Sequence, residues 1–243
     1  MAVGRTVTTP GGSGDLARIG ERLERVRRRI AVAGGDLARI RIVAVTKGFG
    51  LDELRAAVAL GCVDVGENYA HELVTKAAAV GASLPVRWHF LGAVQRNKLA
   101  RLAPLVACYQ GVDRLEEGEA IAARAPGAEV LVEVNAAGLP GRPGVPPGEV
   151  PSLVAALERL DLAVRGLMTV APPERETARR CFETVAALVA DLGLEEASMG
   201  MSDDLELAVA AGSTMVRVGR ALFGSRPARP APETPPARPR VPQ

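Results

Sequence analysis

Of the thirty basic residues in this chain, twenty-seven are arginine and only Lys47, Lys76 and Lys98 are lysine. An amine can shed its proton and attack a carbonyl, whereas a guanidinium cannot, so the few lysines are where covalent chemistry is sought first. Lys47 follows the apolar run Ile42-Val43-Ala44-Val45-Thr46 and precedes Gly48, which puts its amine at the carboxyl end of a strand. Lys76 and Lys98 fall in helical stretches, as surface lysines usually do. A second set of polar residues stands far along the chain. Ser198-Met199-Gly200-Met201-Ser202-Asp203-Asp204 leads from an apolar run into a helix start, and Ser213 to Arg220 forms a further run and its exit. Gly200 and Gly219 let the backbone approach an anion closely, while Ser202 can donate a hydroxyl hydrogen bond. An amine facing a phosphate cup suits a phosphorylated aldehyde held as an imine.

These groups meet only if the elements carrying them end on one side. Apolar runs recur at 42–46, 62–65, 87–91, 106–109, 129–134, 162–167, 195–199 and 214–218. Helical stretches separate them near 51–60, 69–80, 95–103, 113–124, 148–160, 174–192 and 203–211. The runs are near-continuously apolar rather than alternating, as parallel strands covered on both faces are. An open doubly wound sheet shares that local signature, and the count of eight strands favours a single (β/α)8 barrel of the TIM type. Barrel chemistry sits at the carboxyl ends of the strands, with phosphate held after strands seven and eight. Polar residues do gather at those ends, in Gly66-Glu67-Asn68-Tyr69, Trp88-His89-Phe90-Leu91-Gly92 and Glu133-Val134-Asn135. Ahead of the barrel, Leu16, Ile19, Leu23, Val26 and Ile30 mark an extra N-terminal helix capped by Asp15. It would close the barrel bottom or pack on its side, with the Arg27 to Arg29 run on a solvated face.

Residues 1–14 read as a flexible leader, 15–226 as the barrel and 227–243 as a disordered tail, which holds seven of the eighteen prolines. Apolar residues are 48% and charged residues 24% of the chain, a globular balance. No apolar run reaches the roughly 18 residues of a bilayer span, and no signal peptide is visible, so a cytoplasmic protein without a membrane partner is expected. A net charge of +2 gives no case for nucleic acid. Cys62, Cys108 and Cys181 are too scattered for a disulfide frame or a metal site, and His71 and His89 fit no zinc pattern.

Six segments together carry a resemblance. Ala44-Val45-Thr46-Lys47, Val65 to Tyr69, Trp88 to Gly92 with Gln95 and Asn97-Lys98, Gly166-Leu167-Met168-Thr169, Ser198 to Ser202, and Gly212-Ser213-Thr214 with Val216 to Gly219 resemble the pyridoxal phosphate homeostasis proteins. The likeness spans about residues 15–226. It implies a barrel of the alanine-racemase amino-terminal type, carrying pyridoxal 5′-phosphate on Lys47 as a Schiff base. By the same resemblance Arg217 faces the pyridine nitrogen, Ser202 and the backbone around Gly219 and Arg220 hold the phosphate, and Asn68 lies near the ring. A permanent cation at that nitrogen disfavours its protonation and weakens the ring as an electron sink. This chain departs from the family pattern at Leu139 and Arg142, where Glu and Lys are usual, at His71 for Gln, and at Gly111 for Ser.

The function so implied is a cofactor carrier acting in pyridoxal phosphate homeostasis and delivery to apo-enzymes, without a catalytic residue of its own. The rival reading is an amino-acid racemase. Racemisation needs a second acid/base opposite the lysine, which in the fold relative comes from a separate β domain, and after Arg226 only the proline-rich tail follows. A sugar-phosphate aldolase fits the lysine and phosphate cup but not the six motifs. A monomer is expected, with a dimer through the Arg-rich helix as the alternative.

Overall fold

The run that delivers Lys47 folds as β1 (Arg41–Val45), in which Val43, Ala44 and Val45 are buried. Seven further strands follow: β2 (Asp64–Glu67), β3 (Arg87–Phe90), β4 (Val106–Val112), β5 (Glu129–Glu133), β6 (Ala163–Met168), β7 (Glu196–Ser198) and β8 (Met215–Val218). In this computed structural model, which describes residues 12–225, all eight are parallel and close in sequence order into a barrel. The seam is the pairing of β8 with β1, from Arg41 opposite Met215 to Ala44 opposite Val218. The expected fold class is therefore the observed one. The expected tail, 227–243, and the first eleven residues of the expected leader lie outside the described residues.

Helices α1 (Gly12–Val32), α2 (Leu51–Ala59), α3 (Ala70–Val80), α4 (Arg96–Leu102), α5 (Leu115–Ala122), α6 (Val150–Glu158), α7 (Arg175–Asp191), α8 (Leu205–Ala210) and α9 (Arg220–Phe223) surround the strands. α1 begins at Gly12, so Asp15 sits in its first turn, where a carboxylate favours the helix dipole, rather than at the cap. β2 starts two residues later than the apolar run. The amides of Gly61 and Cys62 bond back to Val58 and Ala57, so these residues finish α2 instead of opening a strand. β4 runs on to Val112 because that residue pairs with Val132 of β5. The short α9 was not expected.

Strand side chains alternate between two environments. Val65, Trp88, Phe90, Tyr109, Val130, Val132, Leu167 and Ala197 pack outward with Leu54, Leu73, Leu99, Ile121, Leu157 and Phe182 of the helices, forming the main core. Inside the barrel an apolar group of Cys108, Leu131 and Met168 shares the space with buried His89, Gln110, Ser198 and Arg217. α1 packs on the side, against α2, α8 and α9, with Ile19, Leu23, Val26 and Ile30 all at most 1% exposed. Leu16, expected in the same stripe, is 38% exposed. Among the described residues no helix is long and apolar enough to cross a membrane. Cys62, Cys108 and Cys181 are buried and free, and burial pushes the Cys62 thiol up to about 11 and Cys108 up to about 12. Such thiols stay protonated and inert at neutral pH.

Candidate functional site

At the carboxyl ends of the strands lies a cavity of about 1200 Å³. Lys47, Asn68, Ser202, Arg217, Gly219 and Arg220, singled out from the sequence, all line it. Lys47 follows β1 on the inward face set by Val43 and Val45. The peptide just before it is held from outside the barrel wall. Lys76 Nζ donates to the Thr46 carbonyl (2.7 Å) and to Glu67 Oε1 (2.5 Å), and Thr46 Oγ1 donates to the same carboxylate oxygen (2.6 Å). Lys76 is thus a buried residue and not the surface lysine expected. Its place among Leu73, Ala77 and Val80, the buried stripe of α3, was the overlooked signal. Burial pushes the Glu67 carboxyl up, against the pull of Lys76.

The phosphate-cup candidates sit as the strand ends require. The Ala221 amide donates to Ser202 Oγ (3.0 Å), which leaves the hydroxyl proton free to donate elsewhere. The Arg220 guanidinium pairs with Asp203. Arg29 of α1 reaches the loop from behind: its Nη2 donates to the Ser202 carbonyl (3.0 Å) and to Glu206 (2.8 Å). That residue therefore ties α1 to the loop, whereas Arg28 keeps the solvated position expected of the whole run. A Cβ on Gly219 would stand 3.1 Å from the Val45 carbonyl oxygen, so β8 leaves the barrel against the backbone of β1. Gly200 has a different reason from the one expected. Its φ is +92°, and a Cβ there would meet Ala208 Cβ at 2.5 Å, so it serves the turn and the packing of α8 and does not line the cavity.

Arg217 is 5% exposed. Its Nη1 donates to the carbonyl and to the hydroxyl of Ser198, both at 2.7 Å, and Nη2 donates to the Thr169 carbonyl at 2.7 Å. Burial pulls its pKa down to about 10, which leaves it charged at neutral pH. Sequence reading placed Glu133 only among strand-end polar residues. In the structure it faces the cavity, where burial, with Asp113 adding to it and Arg217 opposing it, pushes its carboxyl up to about 7. The loop after β5 is tied by Asn135, whose Nδ2 donates to the Leu139 carbonyl (2.9 Å) and whose Oδ1 accepts from the Leu139 amide (3.2 Å). Arg142 donates to the Val170 carbonyl (3.1 Å) and lines the same cavity.

Comparison with known proteins decides the kinship. Residues 14–227 match the family model described as the alanine racemase N-terminal domain. A pyridoxal phosphate homeostasis protein from Pseudomonas aeruginosa is 38% identical over 211 residues, covering 83% of this chain and 91% of the relative. One from Deinococcus radiodurans is 41% identical, covering 82% of this chain and 95% of the relative. The chain belongs to the pyridoxal phosphate homeostasis protein family. A solved member, PipY of Synechococcus elongatus with pyridoxal phosphate bound, superposes with a TM-score of 0.75 at 30% identity, covering 85% of this chain and all of that one. Alanine racemase of Corynebacterium glutamicum shares the fold at a TM-score of 0.66 and 19% identity, and this chain covers 61% of it. The family's name records cofactor homeostasis rather than a reaction.

The residues present fit such a group. Asn68 Oδ1 is buried in the cavity wall with no hydrogen-bond partner among the described residues. An unmet buried acceptor costs about 1–3 kcal/mol, which a ligand donor would recover. Three of the five N–H groups of Arg217 are taken by the protein oxygens of Ser198 and Thr169, and the residue lines the cavity.

Proposed function

We propose that this protein binds pyridoxal 5′-phosphate through Lys47 and serves in cytoplasmic pyridoxal phosphate homeostasis, with residues 15–226 as the binding unit. The observation that carries the proposal is the convergence of Lys47, Arg217 and Ser202, from three separate strand ends, on one cavity. The cofactor supplies an aldehyde with which the Lys47 amine forms a C=N link as water leaves. The remaining chemistry belongs to the chain. Ser202 Oγ and the backbone around Gly219 and Arg220 hold the phosphate, Asn68 accepts a hydrogen bond beside the ring, and Arg217 presents a permanent cation to the pyridine nitrogen. That cation keeps a proton off the nitrogen, so the bound group is held rather than driven toward carbanion chemistry. Delivery to apo-enzymes is the role this arrangement suits.

The test is an absorbance spectrum with and without added pyridoxal phosphate, then borohydride reduction and peptide mass mapping. A new band and a reduced adduct on Lys47 are expected. An adduct confined to Lys76 or Lys98 would move the site, and no adduct would return the cavity to another phosphorylated carbonyl compound.

A further inference from the structure

Beneath Arg217 an unbroken line of buried polar side chains crosses the barrel. Ser198 Oγ lies 2.7 Å from Arg217 Nη1 and 2.8 Å from Gln110 Oε1. Gln110 Nε2 lies 2.8 Å from His89 Nδ1, and His89 Nε2 lies 2.8 Å from Asp64 Oδ1. Ser198, Gln110 and His89 are fully buried, and they come from three different strands. The far end, Asp64, stands among Arg41 and Arg87 at the opposite mouth of the barrel. Burial pushes its carboxyl up, but His89 and these arginines bring it below the ordinary carboxylate range.

With a single proton on the His89 ring, the direction of every bond follows from the two ends. An arginine only donates and a carboxylate only accepts. Asp64 therefore accepts a hydrogen bond from the N–H at His89 Nε2, and in the singly protonated ring this leaves Nδ1 as the acceptor. Gln110 must then turn its amide nitrogen to His89 and its oxygen to Ser198. The Ser198 hydroxyl in turn donates to Gln110 and accepts from Arg217. The second amide proton of Gln110 points to Met215 Sδ at 3.1 Å, so both N–H donors are used. Bonds aligned in one direction polarise one another, and a flip of any member would set two donors or two acceptors face to face.

We infer that Gln110, His89 and Asp64 are positioning residues that hold Arg217, through Ser198, in the orientation in which it meets the cofactor ring. The inference rests on the proposed binding of pyridoxal phosphate. A guanidinium gripped on one edge by fixed carbonyls and by this relay cannot swing away when the ligand leaves. The site stays preorganised for rebinding, and little side-chain entropy is lost on capture.

The experiment uses the full chain and the variants Gln110→Met, which keeps volume but not the two bonds, and Ser198→Ala, a smaller change that cuts the adjacent link. On cofactor-free protein, nitrogen-15 NMR of the two histidines should show His89 protonated on Nε2, and a proton on Nδ1 would overturn the relay. With pyridoxal phosphate added, both variants should still give the Lys47 adduct. Their cofactor should dissociate about three to ten times faster, the loss of roughly one hydrogen bond, with a displaced absorbance maximum. A Gln110→Met protein that fails to fold leaves Ser198→Ala to decide. Wild-type adduct with an unchanged rate and maximum in the folded variants would overturn this inference alone. Absence of adduct in the wild-type protein would overturn the cofactor reading beneath it.

Discussion

Two carboxylates near the cavity are governed by burial, and their consequences have opposite partners. Glu67 is neutralised by Lys76, and its second oxygen, Oε2, is buried without a partner among the described residues. Replacing Lys76 by Met would leave the carboxylate uncompensated, and the expected cost is about 3–5 kcal/mol of folding stability. A urea titration reads it directly, and a loss under about 1 kcal/mol would show that water reaches Glu67. At Glu133 burial and Asp113 outweigh the pull of Arg217 and Arg142. Its carboxyl, at about 7 in the folded chain against an ordinary 4.5, binds its proton more tightly folded than unfolded. Its contribution is therefore present below about pH 4.5 and is lost as the pH rises through about 7. Each pH unit in that window carries about 1.4 kcal/mol. Glu133→Gln should raise stability at pH 8 by about 2 kcal/mol over the parent, and the gain should shrink toward pH 5. No gain at pH 8 would show that the side chain is solvated.

At the scale of elements, the loop between β7 and α8 is set by one backbone position. Gly200 needs both its left-handed φ and the absence of a Cβ against Ala208. Gly200→Ala should cost about 2–4 kcal/mol and displace Ser202, so cofactor retention should weaken with it. Gly148→Ala, where nothing lies within 4 Å and φ is ordinary, is the control expected to stay near the parent. If the two variants melt alike, the contact at Gly200 relaxes without cost. Much of this level was legible in advance. Strand ends are marked by abrupt changes from apolar to polar residues, which is how Lys47, Asn68 and Ser202 come to be aligned from the sequence, whereas Arg217, inside the last strand, is singled out by the family resemblance alone. Lys76 lies in the buried stripe of α3, which its sequence spacing does show, but the carboxylate it meets on β2 leaves no local sign. His89 and Ser198 are visible as polar residues inside the runs, while Gln110 stands one residue past the run at 106–109. Their mutual contact depends on the barrel's closure, which brings β3, β4 and β7 together at distances no local pattern encodes.

For the whole molecule, the placement of α1 across the β1–β8 seam joins stability to the site. Leu23 and Ile30 are buried against α2, α8, α9 and the two seam strands, so Leu23→Ala should cost about 2–5 kcal/mol as a core truncation. Arg29 acts differently, because its links to Glu206 and the Ser202 carbonyl bear on the loop more than on the core. Ligand binding to the native barrel alone adds stability by mass action, about 2.7 kcal/mol at a hundredfold excess over Kd. For a chain of this size that is a rise in Tm of roughly 5–10 °C. Pyridoxal phosphate should produce such a rise in the parent and in Leu23→Ala, whose site is intact though its melting point is lower. The rise should be smaller in Arg29→Ala and largely lost in Lys47→Ala. A full rise in Lys47→Ala would place the stabilising ligand outside the cavity. An equal rise in Arg29→Ala would show that the loop after β7 keeps its shape without help from the N-terminal helix.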